Sequence, residues 1–227
     1  MKLSGNFVEV LKNFATINPG LVFKPGNKLR TASVLKTILA EAEVDEIIEK
    51  EFSIYDLNKL LPMLTLNKKS LEVQLEDDSI VIMGLDGKGQ IRHRLTSRNM
   101  IKSPGDGNIV MKNVVAEFEL KEEVFKWLQD VSSILGCPQT VIQGHPGTPI
   151  TLNAVDVKGK IVDSALVELD TIATTKFKVV FSNDNIKVIP GTYNVKISPI
   201  GCALFTHLER KLKYWITIEA KSSSFEE

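Results

Sequence analysis

The sequence predicts an α+β fold built as two similar domains, and three observations predict it. An amphipathic helical segment followed by several short β-like runs occurs twice, first from Ser4 and again from Lys121. A heptapeptide marks each copy: Asp56-Leu-Asn-Lys-Leu-Leu-Pro62 and Asp184-Asn-Ile-Lys-Val-Ile-Pro190 share Asp, two residues, Lys, two apolar residues and Pro, each upstream of strand runs. Between the copies the apolar pattern lapses from Thr96 to Lys112, with Ser103-Pro-Gly-Asp-Gly-Asn108 as the most loop-like stretch of the chain. The expected domains are therefore residues 1–108 and 109–227.

The elements follow in order. A helix is expected from Ser4 to Thr16, because Phe7, Leu11 and Phe14 recur at i, i+4, i+7, Ser4 can cap the first turn and Asn18-Pro19-Gly20 ends it. Its other face carries Asn6, Glu9, Lys12, Asn13 and Thr16 and is only faintly basic. Strands are expected at Leu21–Phe23, Leu29–Ser33, Leu35–Ala42, Ile47–Ile54, Leu71–Leu75, Ile80–Gly84 and Gln90–Leu95. Lys24-Pro25-Gly26-Asn27 supplies one turn and Asp86-Gly87 a hairpin tip. The first heptapeptide reads as a short helix capped by Asp56 and stopped by Pro62. After the connector come a strand at Val114–Leu120 and a helix from Lys121 to Leu135, with Val124, Leu128 and Val131 on one stripe and Gly136 at its end. Seven more strands are expected at Thr140–Gln143, Thr148–Val157, Ile161–Leu169, Lys176–Phe181, Tyr193–Ile197, Ala203–Leu208 and Tyr214–Ala220, with a second short helix over Asp184–Pro190.

Composition narrows the function. Hydrophobic residues are 43% of the 227, enough to bury a core and to exclude global disorder. No apolar run approaches the roughly 18 residues of a spanning helix, and the first residues enter the amphipathic segment without a signal-peptide core. Cys137 and Cys202 are too few for a disulfide framework; two buried free thiols in a reducing cytosol are expected, although the two could meet in space. Lys+Arg and Asp+Glu both number 28, so the net charge is +0, whereas a protein holding DNA by electrostatics alone would be basic. A nucleic-acid role then requires segregated charge or retention by something other than affinity.

Catalytic constellations are missing from the pattern. His93, His145 and His207 stand far apart, none has a partner at metal-ligand spacing, and each reads as a surface or loop histidine. Gly84-Leu-Asp-Gly-Lys-Gly89 lacks the spacing of a phosphate-wrapping loop, no nucleophile elbow occurs, and neither cysteine has a neighbouring His to activate it. No enzyme, metal or cofactor is expected.

Certain runs do point to a family. Met1-Lys-Leu-Ser4, Leu11-Lys-Asn-Phe-Ala-Thr-Ile-Asn18, Gly20 and Gly26 are joined by Ala40-Glu-Ala42, Ile54-Tyr-Asp-Leu-Asn58, Pro190-Gly-x-Tyr193, Tyr214 and Glu219-Ala220. In this order, over a chain of this length, they resemble the T-even-type bacteriophage sliding clamp. The correspondence is dense at both ends and thin from about Met63 to Gly147. The resemblance implies the DNA-clamp fold: two similar domains per chain, each with β-sheets outside and two helices lining the interior of a homotrimeric ring around duplex DNA. It implies a non-enzymatic DNA polymerase processivity factor in the cytoplasm of the infected bacterial host. Its implied partners are the DNA polymerase, an ATP-driven clamp loader and the late transcription factors.

On that reading a ring is held by topology and need not bind tightly, which accommodates the neutral charge. The lysines expected to face DNA are Lys2, Lys12, Lys59, Lys121, Lys126 and Lys187, long flexible ammonium groups suited to non-directional phosphate contact, although Glu9, Glu122 and Asp130 share the same helices. Partner tails would dock apolar anchors in a groove walled by the connector Ile101–Lys112 and the strand Tyr214–Ala220, with Trp215 and Ile218 as contributors; period-2 core packing accounts for these two equally well. A β-rich oligomeric viral structural or assembly protein would share the strand count and neutral charge, and is disfavoured by the terminal motifs.

Overall fold

The computed structural model describes residues 2–66, 72–84, 88–160 and 162–226. The chain forms two compact units, Met1–Asp106 and Gly107–Glu227.

In the first unit, helix α1 (Gly5–Ile17) starts where Ser4, in extended backbone, accepts the Phe7 amide on its hydroxyl at 3.1 Å. The Ser4 amide in turn donates to the Glu46 carboxylate at 2.5 Å, so a buried acid sits at the positive end of the helix. Phe7, Leu11 and Phe14 are buried as the spacing predicts, joined by Val10, Ala15 and Ile17. Strand β1 (Leu21–Phe23) pairs antiparallel with β4 (Phe52–Ile54), and Phe23 stacks on Phe52 with centroids 4.4 Å apart. Strands β2 (Gly26–Ala32) and β3 (Ile38–Ile48) form a hairpin; β5 (Val73–Leu75), β6 (Ser79–Gly84) and β7 (Gly89–Arg94) form an antiparallel meander. Leu71 and the Asp86-Gly87 tip lie outside the described residues.

Two expectations are corrected here. The boundary between the runs Leu35–Ala42 and Ile47–Ile54 is moved: β3 is one strand of 11 residues that continues through Ile48, because the buried alternation Ile38, Ala40, Ala42, Val44, Glu46, Ile48 is unbroken, and only Phe52–Ile54 of the second run forms the separate strand β4. Leu35 lies in the preceding turn, 83% exposed, beside Lys36 at φ 58. Pro62 does not stop helix α2 (Leu57–Thr65) but lies inside it. Leu64, beyond the proline, is buried with Leu57, Leu60 and Leu61, and that apolar face holds the last turn against the lost amide bond.

The second unit begins with β8 (Ala116–Leu120) and helix α3 (Glu122–Leu135), which ends on Gly136 at φ 69. Its buried line is Phe125, Leu128 and Ser132, one residue round from the expected stripe; Val124 and Val131 flank it half-buried. One sheet runs β11 (Ala165–Ile172), β10 (Pro149–Val155), β9 (Gln139–Gly144), β12 (Phe177–Ser182), β16 (Ser224–Phe225), with α3 packed on β10 and β11. A second set has the order β15 (Leu212–Thr217), β14 (Cys202–His207), β13 (Tyr193–Ser198), β8. Tyr193, Phe205, Tyr214 and Phe181 form its aromatic core.

The second heptapeptide is not a helix, so among the described residues this unit carries one α-helix where two were expected. A single 3₁₀ turn, Asn183–Asn185, leads into irregular chain. Three causes are visible. Leu60 and Leu61 of the first copy are replaced by β-branched Val188 and Ile189, and Leu57-Asn58 by Asn185-Ile186. The Asn183 side chain is committed to Thr140, Ser132 and the Cys137 carbonyl at 2.7–2.8 Å. The backbone of Ile189 is claimed by tyrosines: its amide donates to the Tyr214 hydroxyl at 3.1 Å and its carbonyl accepts from the Tyr193 hydroxyl.

Candidate nucleic-acid interface

Of the six lysines expected to face DNA, Lys12 on α1, Lys59 on α2 and Lys126 on α3 project from exposed helical positions. Lys2 is exposed just before α1, in an isolated bridge to Glu72. Lys121 is not in the helix but is its extended N-cap residue, and its ammonium lies 2.7 Å from Asp170 on β11. The hydrogen bond to that carboxylate raises the lysine's pKa and lowers that of Asp170. Lys187 is half-buried in irregular chain, off any helix. The outward face of α3 is not basic: Glu122, Glu123 and Asp130 stand against Lys126, and Trp127 and Ile134 add exposed apolar surface. Dispersed single ammonium groups can meet phosphates without reading bases.

Trp215 is 8% exposed on β15, opposite Leu204 of β14, and its indole N–H is buried without a hydrogen-bond partner among the described residues. Ile218 is half-buried just beyond the strand, its amide donating to Gly201 at 3.0 Å. The connector reaches the same sheet: Ser198 donates to the Lys112 carbonyl at 2.5 Å and the Met111 sulfur lies 3.7 Å from that of Cys202. At its other end the connector is tied to the first unit by Asn18, which donates to the Lys102 carbonyl, and by Arg30, which donates to the Gly105 carbonyl.

The histidine expectation fails at one position. His207 is 4% exposed, its Nδ1 accepts the Glu209 amide at 3.1 Å, and burial lowers its pKa. His93 is half-buried on β7, with its pKa also lowered by burial. Both cysteines are free, but only Cys137 is buried; Cys202 is half-buried. Among the described residues no group of three His, Cys, Asp or Glu could hold a metal ion, and no helix is long and apolar enough to cross a membrane.

Sequence reasoning missed two charged sheet edges. β7 ends the three-stranded meander and exposes Arg92 and Arg94; β11 ends the five-stranded sheet and exposes Glu168 and Asp170, flanked by Leu166 and Ile172 at 54% and 52% exposure. Their signal was in the alternation of each strand, where like charges recur every second residue.

Helices packed on antiparallel sheets in two successive units define the class: this is the fold of DNA clamps. The chain superposes on the proliferating cell nuclear antigen of Entamoeba histolytica with a TM-score of 0.71, at 13% identity over 94% of each chain. The Helicobacter pylori β clamp bound to a DNA ligase peptide gives 0.71 at 14% identity, over 96% of this chain and 65% of that one. Those likenesses establish the fold alone. Residues 4–93 match the family described as DNA polymerase processivity factor, and residues 117–220 the one described as gp45 sliding clamp, C terminal. The sliding clamp of Vibrio phage KVP40 is 30% identical over 97% of this chain and 100% of its own length, and that of Enterobacteria phage T4 is 30% identical over 98% and 99%. The chain therefore belongs to the bacteriophage sliding clamps, non-enzymatic processivity factors of phage DNA replication.

Proposed function

We propose that three copies of the chain close into a ring around duplex DNA, that an ATP-driven loader opens and closes it, and that it tethers the replicative polymerase in the cytoplasm of the infected bacterium. Late transcription factors use the same ring. The observation that carries the reading is the complementarity of two sheet edges on opposite units of one chain: arginines on β7, carboxylates and exposed aliphatic side chains on β11. A surface of one kind on the first unit and its complement on the second makes a head-to-tail contact, which forms rings when the rotation closes.

Within that ring, Lys2, Lys12, Lys59 and Lys126 are the phosphate-facing set. Lys121 would have to leave Asp170 to reach a phosphate and Lys187 is half-buried, so these two contribute least. Retention comes from closure, and weak, non-directional contacts leave the ring free to slide. The strip of connector at Met111 and Lys112, with Trp215 and Ile218, is the socket for apolar partner tails. The direct test is retention on DNA: protein loaded on nicked circular duplex should remain bound and be lost when the circle is cut, and a variant with Lys12, Lys59 and Lys126 changed to Glu should load less while keeping its oligomeric mass. Equal release from circular and linear DNA would overturn encirclement; undiminished loading of the variant would overturn only the lysine assignment.

A further inference from the structure

The five-stranded sheet of the second unit ends on one side in the two-residue strand β16. Among the described residues β16 pairs with β12 at two positions, Phe225 opposite Phe177 and Ser224 opposite Lys178. Around this short ladder the Val180 amide donates to the Ser223 hydroxyl at 3.0 Å, the Glu226 amide donates to the Lys176 carbonyl at 3.1 Å, and the Lys176 ammonium pairs with the Glu226 carboxylate. A turn, in which the Ser222 amide donates to the Glu219 carbonyl, separates the segment from β15. The cover is slight: Ser224 and Glu226 are exposed and Phe225 is only half-buried. Ordering residues 222–226 costs conformational entropy on every residue, set against one half-buried ring, a part-buried hydrogen bond from Val180 and an exposed ion pair.

Beside this edge lies a cavity of about 310 Å³ lined by Gln143, His145, Lys176, Lys178, Phe177 and Phe225, with Glu226 at its margin. Two ammonium groups and an imidazole face one described carboxylate there.

We propose that the β12 edge is a docking site for an extended segment of a partner protein, an aromatic residue followed by carboxylates, which adds as a strand in place of residues 222–226. Residues 222–226, Ser-Ser-Ser-Phe-Glu, show the chemistry the site accepts: backbone pairing along β12, an aromatic residue opposite Phe177 and a carboxylate on Lys176, with Lys178 beside it. The surplus of cations beside it favours an occupant more acidic than the tail. This site is separate from the Trp215 groove and does not depend on ring closure.

The test uses a dye-labelled peptide of residues 222–227 and fluorescence anisotropy. A chain ending at Lys221 should bind it saturably, the full chain about tenfold or more weakly because its own tail competes, and Lys176→Glu with Lys178→Glu in the shortened chain should weaken it by a further tenfold or so. A peptide carrying Phe225→Ala should lose binding. No saturable binding to a shortened chain that melts like the full one, or equal binding by both, would overturn the proposal. Should shortening unfold the chain, the full-length double variant Phe225→Ala, Glu226→Lys serves instead. Its Val180 amide should exchange with solvent faster than in the parent, and the variant should gain peptide binding. Unchanged protection of that amide would make the tail a permanent strand and overturn the docking edge.

Discussion

Asn18 shows how much one buried polar side chain can organise. It is 6% exposed, donates to the carbonyls of Ala32 and Lys102 at 3.1 Å each, and accepts the Gly20 amide at 3.0 Å. Asn18→Ala removes all three of these hydrogen bonds, one of them from the buried Gly20 amide, so the chain should lose about 1–3 kcal/mol in urea unfolding; a loss below ~0.5 kcal/mol would show that water replaces the amide. In Pro190-Gly191-x-Tyr193, a Cβ added at Gly191 would come within 2.2 Å of His207 Nε2, so glycine makes room for a buried imidazole, while Tyr193 ties back to Ile189. That imidazole gives a pH dependence. His207 titrates below its ordinary value of 6.5 because burial disfavours the charged ring, and protonating Nδ1 would also break the bond from Glu209. Its neutral form stabilises the fold in full above about pH 6.5; below that the unfolded chain takes up a proton that the folded chain refuses, so stability falls toward the folded pKa. His93 acts in the same direction. His207→Asn, which keeps an acceptor for the Glu209 amide, should therefore flatten the decline in melting temperature between pH 6.5 and 5. An unchanged slope would assign the effect elsewhere. The sequence marked Asn18 and Gly191 as features of a resemblance, but their work is done toward residues 84 and 16 positions away, which no local pattern displays.

At the scale of elements, two heptapeptides of one pattern have different fates. In the first, a capping Asp56 and leucines facing a core sustain a helix through Pro62. In the second, β-branched residues and two tyrosine hydroxyls hold the chain out of a helix. Pro62 is exposed, so replacing it by Ala sacrifices little packing while restoring an amide to the helix. Pro62→Ala should stabilise the first unit by about 1–2 kcal/mol, the loss of proline's restraint on the unfolded chain offsetting part of the gain. A destabilised variant would mean that the proline ring makes a packing contribution larger than the backbone bond. The heptapeptide was a poor guide to conformation, because the shared pattern fixed Asp, Lys, two apolar residues and Pro but neither the branching at Cβ nor the residues at its second and third positions.

For the whole molecule, 28 basic and 28 acidic residues cancel in sum but not in place. Arg92 and Arg94 sit on an edge of one unit, Glu168 and Asp170 on an edge of the other. Light scattering should find three chain masses at micromolar concentration. Changing both arginines to Glu should weaken assembly by about tenfold or more, and also changing Glu168 and Asp170 to Lys should recover most of the loss. Arg92 and Asp170 also pair with Glu76 and Lys121 within the chain, so melting curves of each variant separate a folding defect from an assembly defect. Absence of rescue with intact folding would remove these edges from the contact.

By itself the sequence determined the mixed class, the α1 and α3 helices, the strand-rich remainder and the family, since helix periodicity, caps and colinear motifs are local properties of the chain. The tertiary structure alone decided that Pro62 stays inside a helix, that Asp184–Pro190 is not one, that His207 is buried, and that Lys121 is spent on Asp170. Each of those outcomes depends on partners brought from far along the chain, and a partner's burial, hydroxyl or carboxylate outweighs the propensity of any short segment.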